Sequence, residues 1–306
     1  MNNKNPLVSV IVTTYNRKEL LKETIDSILN QTFKDFELIV VDNYSNYDFL
    51  SYMKSFNDSR IRAFQNQNDG IIAVNRNVGI KKAKGEYIAF CDDDDYWDKD
   101  KLSTQLSHFD TDIFIVGVGT CCKNIGATEY YRKSKKINSD IYIGFEDLFI
   151  FVSIALSSLM IRNNGLLFDE SILYKYVEDF DFQVNLVLST CGKIKLLEKA
   201  LVYYRIHCRS NGIMNSDHNL LNVVEKYRTY LKKNLYKKTY YRYYFSLGIK
   251  ALRLYDRDSS VYFLKSIRYC GYRNAKDIFK AFIGLIISTL PNIFIKRILF
   301  IYYYAK

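Results

Sequence analysis

Tyr87-Ile88-Ala89-Phe90-Cys91 runs straight into Asp92-Asp93-Asp94-Asp95. The apolar run reads as a buried strand. Carboxylates crowded at its end repel one another and lose hydration, a cost that a cation or a hydrogen-bonding ligand offsets. Oxygen donors of this kind suit Mg²⁺ or Mn²⁺, and Mg²⁺ takes one or two carboxylates together with substrate phosphates. The same run would also serve as a solvated acidic turn capping a helix that begins near Asp98. Its position favours the ligand site, because ligands of open α/β sheets bind outside the carboxyl ends of the strands.

Outward from this junction, strands and helices alternate. Residues 8–13 form an apolar, β-branched run, and residues 17–29 carry helical spacing through Leu20, Leu21, Ile25, Ile28 and Leu29. A strand at 37–41, a helix at 48–55, a short strand at 60–64 and a helix at 72–82 lead to the strand at 87–91. Such alternation predicts βαβ units with right-handed crossovers and helices on both faces of the sheet. Further on, residues 113–118 read as a strand, 153–162 as an apolar segment and 179–190 as an amphipathic helix. From residue 219 the chain reads as helical, with a helix pair at 240–255 and 259–271. The expected fold is α/β, a mostly parallel central sheet flanked by helices with a C-terminal helical extension. The expected domains are 1–218 and a basic, aromatic-rich region, 219–306.

The 306 residues are 48% hydrophobic, ample for a core. Six cysteines, with no CxxC pair and no secretory signal at the start, read as reduced cytosolic thiols, mostly buried. The net charge of +11 is uneven: residues 221–306 hold 18 Lys and Arg against 4 Asp and Glu, and 14 of the 27 tyrosines. Basic and aromatic residues interleaved, as in Tyr240-Tyr241-Arg242-Tyr243-Tyr244, fit an anionic membrane interface. They also fit phosphate neutralisation with base stacking, or plain helix packing with a solvated basic face. The uncharged stretch 281–295, followed by Lys296 and Arg297, is too apolar for a nucleic-acid arm and too short to cross a bilayer. It reads as an interfacial anchor, with a buried C-terminal helix as the alternative. The expected partner is an anionic membrane surface, with the chain peripheral on the cytoplasmic, inner face of the cell membrane, and no nucleic acid.

Val8-Ser9-Val10-Ile11-Val12-Thr13-Thr14-Tyr15-Asn16-Arg17, then Ser27-Ile28-Leu29-Asn30-Gln31-Thr32 and Glu37-Leu38-Ile39-Val40-Val41-Asp42-Asn43, occur in order ahead of Asn75-Arg76-Asn77-Val78-Gly79-Ile80, Ala83-Lys84-Gly85-Glu86 and the aspartate run. Val177-Glu178-Asp179 and Tyr204-Arg205-Ile206-His207-Cys208-Arg209-Ser210 follow. This ordered set resembles family 2 glycosyltransferases of the GT-A (Rossmann-like) fold, over roughly residues 7–212. The resemblance implies an inverting, metal-dependent enzyme that moves a sugar from a nucleotide-diphosphate donor, a UDP-sugar by preference, to a saccharide or lipid-linked acceptor in cell-surface polysaccharide synthesis.

By the same resemblance, Asp94 ligates Mg²⁺ or Mn²⁺, with Asp92 and His207 as further candidates and Arg205 alongside. Asp92 and Asp93 hold the ribose hydroxyls or metal waters. Thr13, Tyr15, Asp42 and Asn43 contact the base, and Arg76 the base or ribose. Asp179 is the catalytic base and Glu178 supports it or touches the acceptor. Asn43 departs from the family's second aspartate, and its amide oxygen can still accept a hydrogen bond, so the nucleotide stays open. The bland readings are a surface cation at a helix start for Arg76, acids favoured at a helix N-terminus for Glu178 and Asp179, and a structural loop residue for His207. An inactive carbohydrate- or membrane-binding scaffold on the same fold is one alternative function. A nucleotidyltransferase is another, although no glycine-rich or lysine-bearing phosphate loop follows the first strand. Sugar choice is expected from loops such as 120–139. Sugar, linkage and oligomeric state are left open.

Overall fold

The computed structural model describes residues 5–126, 137–150, 154–207, 212–253, 258–269 and 275–290. The apolar runs pair with one another. Strand β1 (Val8–Thr14) lies between β2 (Phe36–Asp42) and β4 (Tyr87–Asp92), parallel to both, and β3 (Ile61–Gln65) extends the block beyond β2. Register sets Thr13 beside Asp92 and Thr14 beside Asp42, so the carboxyl ends of three strands meet at one edge. The crossovers carry α1 (Lys18–Leu29), α2 (Phe49–Ser55) and α3 (Ile72–Lys82). Helix α1 buries Leu21, Thr24, Ile25 and Ile28, the stripe its spacing predicts.

Helix α3 is different: it buries Asn75, Arg76 and Asn77. Asn77 makes this possible by imitating a strand. Its Nδ2 donates to the Phe168 carbonyl at 2.9 Å and its Oδ1 accepts from the Phe168 N–H at 2.8 Å. A Cβ on Gly79 would lie 2.5 Å from Ile11 Cγ2, so only glycine allows the helix this close to β1.

Past β4 the sheet is mixed. Its order continues from β4 through β8 (Met160–Arg162), β6 (Ile115–Gly126) and β9 (Lys193–Ile206) to β5 (Tyr96–Trp97), with β7 (Ile141–Ile143) also on β9. Pairs β4–β8, β6–β8, β5–β9 and β7–β9 are antiparallel, and β6–β9 is parallel. The strand expected from residue 113 begins at Ile115. Asp112 turns the chain first, its carboxylate accepting from the Phe114 N–H at 2.9 Å, and Ile113 and Phe114 stay exposed. The first seven residues of the loop expected at 120–139 are strand, as far as Gly126, and 127–136 lie outside the described residues. Helices α4 (Lys101–Leu106), α5 (Phe145–Ile150) and α6 (Glu178–Thr190) complete this part, α6 stacking Phe182 on Phe168 at 4.0 Å between ring centres.

The cysteines are less buried than expected. Among the described residues, Cys91 is buried, Cys121 and Cys122 are half-buried and Cys191 is exposed, all four unpaired. Cys191 ends α6 in a left-handed conformation, φ 51°, at the surface.

The chain divides into two compact units, the second starting at Ile213. The second holds nearly all of α7 (Gly212–Lys226), then α8 (Lys233–Arg253), α9 (Ser259–Tyr269) and α10 (Ala275–Ser288). Phe263 of α9 is fully buried. A Cβ on Gly248 of α8 or Gly284 of α10 would approach its ring to 2.8 and 2.4 Å. Tyr240, Tyr241 and Tyr243 are buried, and Tyr240 meets Tyr269 at 4.6 Å, so these tyrosines serve internal packing. Helix α10 instead leaves Phe279, Phe282, Ile283 and Ile286 exposed. The basic pair expected to flank the anchor lies outside the described residues. No helix among the described residues is long and apolar enough to cross a membrane.

Candidate active site

The four aspartates face four different environments. Asp92, last in β4, donates its N–H to Ser157 Oγ at 2.9 Å and accepts at Oδ1 from Arg76 Nη2 at 3.1 Å. Asp93 is buried, accepting from Thr14 Oγ1 at 2.8 Å and Arg17 Nη1 at 2.9 Å. Burial pushes its pKa up to about 6 against the pull of Arg17 and Thr14. Asp94 Oδ2 accepts from the same Arg17 nitrogen at 2.7 Å and stands 2.8 Å from His207 Nε2. Asp95 is buried and accepts from the Arg205 N–H at 2.8 Å. Burial first, then the charge of Asp92, hold it well above the usual carboxylate range. Arg205 also donates from Nε to the Asp94 carbonyl at 2.9 Å, which ties the end of β9, and so His207, to the aspartate block.

Arg17, Thr14, Ser157 and Asp95 escaped the reading of the sequence as site residues. Arg17 had a signal, since it closes the first motif two residues after Tyr15. Between them Asn16 takes φ 54°, turning the chain out of β1. Its N–H donates to Ser45 Oγ and its Oδ1 accepts from the Asn46 N–H, each at 2.7 Å.

Residues expected at the base line the ends of β1 and β2. Asp42 is fully buried and its carboxylate is well used: it accepts from the Ser45 N–H at 2.9 Å, Ser45 Oγ at 2.5 Å and Gln65 Nε2 at 3.1 Å. Asn43 Oδ1 accepts from the Asn68 N–H at 2.9 Å, pinning the loop ahead of α3. Thr13 is buried beside them and Tyr15 is exposed.

Arg76 is no surface cation. It is buried in α3, its Nη1 donating to Glu178 Oε1 at 2.8 Å while Nη2 holds Asp92, and it lies 5.5 Å from the Phe168 ring. Burial works against its charge, and Asp92, Glu178 and Asp179 outweigh it, leaving its pKa raised. This one side chain joins the end of β4 to the start of α6. Asp179 Oδ1 accepts from the Phe180 N–H at 2.7 Å. Burial, then the neighbouring charge of Glu178, raise the Asp179 pKa, with Arg76 opposing. A carboxylate so raised is a better proton acceptor near neutral pH. Glu178 Oε2 has no hydrogen-bond partner among the described residues.

No cluster of three or more His, Cys, Asp or Glu able to hold a metal occurs among the described residues. Asp94 Oδ2 and His207 Nε2 stand 2.8 Å apart in a hydrogen bond, the carboxylate and imidazole that a cation would have to share. Water and phosphate oxygens would fill the remaining positions, as Mg²⁺ prefers. Asp92 gives its Oδ1 to Arg76, and its side chain stays 32% exposed.

Acids thus stand at the strand ends, and Arg76 links them to the carboxylate pair that opens α6. Residues 9–164 match the sequence model of glycosyl transferase family 2. The Escherichia coli UDP-Glc:alpha-D-GlcNAc-diphosphoundecaprenol beta-1,3-glucosyltransferase WfaP is 30% identical over 211 residues, covering 67% of this chain and 79% of that protein. The Campylobacter jejuni GalNAc(5)-diNAcBac-PP-undecaprenol beta-1,3-glucosyltransferase is 29% identical over 318 residues, 96% of both chains. Staphylococcus aureus TarS 1–349, solved in complex with UDP, superposes with a TM-score of 0.63 over 98% of this chain and 92% of that one, at 19% identity, a likeness of fold. The chain belongs to glycosyl transferase family 2: it is a glycosyltransferase of GT-A fold.

Proposed function

We propose that the chain is an inverting glycosyltransferase that moves a sugar from a nucleotide-diphosphate donor, a UDP-sugar, to a lipid-linked saccharide in cell-surface polysaccharide synthesis. The observation that carries this is the Asp92–Arg76–Glu178 bridge, which sets Asp179 at the start of α6 beside the acidic end of β4. Asp179 takes the proton of the acceptor hydroxyl as that oxygen bonds to the anomeric carbon and the bond to the diphosphate oxygen breaks. Arg76 keeps Glu178 in place behind it. Arg17 faces the leaving diphosphate as a donor once Asp94 turns to other partners. Asn43, Thr13 and Tyr15 line the nucleotide, with Asp42 holding the Ser45 turn behind them and Asp93 toward the ribose. Asp94 and His207 would hold Mg²⁺ or Mn²⁺, which supplies Lewis-acid stabilisation of charge on the departing diphosphate. The names of the Escherichia coli and Campylobacter relatives, both acting on undecaprenol-linked saccharides, support the acceptor class, and the UDP bound in TarS supports the donor.

The second unit supports a peripheral place on the inner face of the cell membrane, through the exposed apolar row on α10 in a strongly basic segment. The deciding experiment incubates the full chain and Mn²⁺ with a panel of nucleotide sugars and undecaprenyl-diphosphate-linked acceptors. Transfer with inversion, lost in Asp94→Ala and in excess chelator, is the expected result. Absence of both nucleotide binding and transfer overturns the reading, and full activity in chelator removes the metal from it.

A further inference from the structure

Helix α1 does more than join two strands: the stretch from Asp93 to Asp98 is laid along it. Arg17, just before the first turn, donates to Asp93 and Asp94. Thr24 Oγ1 donates to the Asp95 carbonyl at 2.7 Å, and Ser27 Oγ accepts from the Trp97 N–H at 3.1 Å. Gln31, just past the last turn, donates from Nε2 to the Asp98 carbonyl at 2.7 Å. Residues 17, 24, 27 and 31 are spaced by whole helical turns and so share one side of the helix. Their partners follow in the same order along the chain.

Glu23, beside this stripe, reaches a different element. Its Oε2 accepts from Arg205 Nη2 of β9 at 2.5 Å. Arg205 donates twice more, from its backbone N–H to Asp95 Oδ1 and from Nε to the Asp94 carbonyl. His207 follows two residues later, its Nε2 2.8 Å from Asp94 Oδ2. The Glu23 side chain is 56% exposed, so the ion pair adds little to stability. Its consequence is directional. A guanidinium is planar and its donors are fixed relative to one another, so holding Nη2 at Glu23 keeps Nε aimed at the Asp94 carbonyl.

We propose that Glu23 is a positioning residue for the transfer: through Arg205 it fixes the Asp94–His207 end of the site, where the donor's diphosphate departs, and leaves the nucleoside end untouched. The inference rests on the transferase reading above. Glu23 itself touches neither the donor nor the acceptor, and acts from α1 on the end of β9.

The test compares the full chain with Glu23→Ala, Arg205→Met and the double variant. Thermal melts report folding, calorimetry with Mn²⁺ reads UDP, and saturation-transfer NMR reads uridine, which lacks the diphosphate. Removing the Glu23 charge would by itself favour an anion, so a loss of UDP affinity reports geometry. Glu23→Ala should weaken UDP by about fivefold or more, within the coupling range of contacting residues, with uridine binding and melting temperature nearly unchanged. That loss should vanish in the Arg205→Met background. Unchanged UDP binding in Glu23→Ala overturns the proposal. Tighter UDP binding also overturns it, and makes Arg205 a diphosphate ligand that Glu23 restrains. An equal loss of uridine binding, a lowered melting temperature, or the same loss with and without Arg205 assigns Glu23 a merely structural role and overturns it too. If the unsubstituted chain binds no UDP, the transferase reading fails with this one; if it binds UDP and the variant matches it, this inference fails alone.

Discussion

Arg17 holds Asp94 at 2.7 Å through the nitrogen that also reaches Asp93 at 2.9 Å. A guanidinium thus stands where a divalent cation would compete for the same Asp94 oxygen. Arg17→Gln removes that competitor and should tighten Mn²⁺ binding in the absence of nucleotide by roughly tenfold, the weight of one neighbouring opposite charge. Calorimetric or paramagnetic Mn²⁺ titration reads this directly. An affinity equal to that of the unsubstituted chain would mean that the cation does not use Asp94.

Asp179→Asn keeps shape and removes basicity. Turnover should fall by about a hundredfold or more with nucleotide affinity nearly unchanged, given the usual worth of general-base catalysis. An equal loss of donor binding would move Asp179 to a structural role.

The rate should rise with pH as Asp179 loses its proton, over a window displaced above the usual carboxylate range because burial and Glu178 raise its pKa. Glu178→Gln takes away a neighbouring negative charge, so the rising limb should move to lower pH. A profile of kcat/KM against pH for the two proteins checks the sign, and a shift to higher pH contradicts it.

Lys101 is fully buried over the Trp97 ring at 3.8 Å, and burial pushes its pKa down to about 7. A depressed folded-state pKa gives stability that is complete above the unfolded value of 10.5 and lost as pH falls towards about 7. Against Lys101→Met, the unsubstituted chain should therefore gain stability as pH rises through that window, by up to about 1.4 kcal/mol per pH unit. Parallel denaturant titrations at several pH values would show equal slopes if Lys101 stays charged.

Cutting the chain before α10 would uncover Phe263, so the membrane test keeps the helix. Phe279→Ser with Phe282→Ser alters only the exposed row and should weaken binding to anionic vesicles while leaving the melting temperature nearly unchanged. Salt should release the unsubstituted chain only in part, because screening removes the electrostatic share alone. Unaltered vesicle binding would dismiss the α10 face as a lipid contact. As a control on packing, Gly284→Val, set against the Phe263 ring, should cost about 1–3 kcal/mol of stability.

The strands β1, β2 and β4 were legible because each is a local apolar run, and α1 because its stripe repeats every 3.6 residues. β9 was not. Its fourteen residues mix Lys, Glu and Tyr among the apolar ones, being half-covered, and β5, β7 and β8 are too short to hold a pattern. The buried polar face of α3 also defied periodicity, because Asn77 and Arg76 are satisfied by partners far along the chain.

By itself the sequence determined which residue types stand at the strand ends and in what order, since strand, helix and turn are local preferences of neighbouring residues. It singled out Asp92, Asp93, Asp94, Glu178, Asp179 and His207 through the family resemblance that this order carries. The tertiary structure alone decided which of them meet. Arg76 and Glu178 are 102 positions apart, and Asp94 and His207 are 113 apart. Whether an acid is buried or open, and whether a cation or a neighbouring carboxylate faces it, depends on what the rest of the chain packs against it, and those neighbours set its charge and its role.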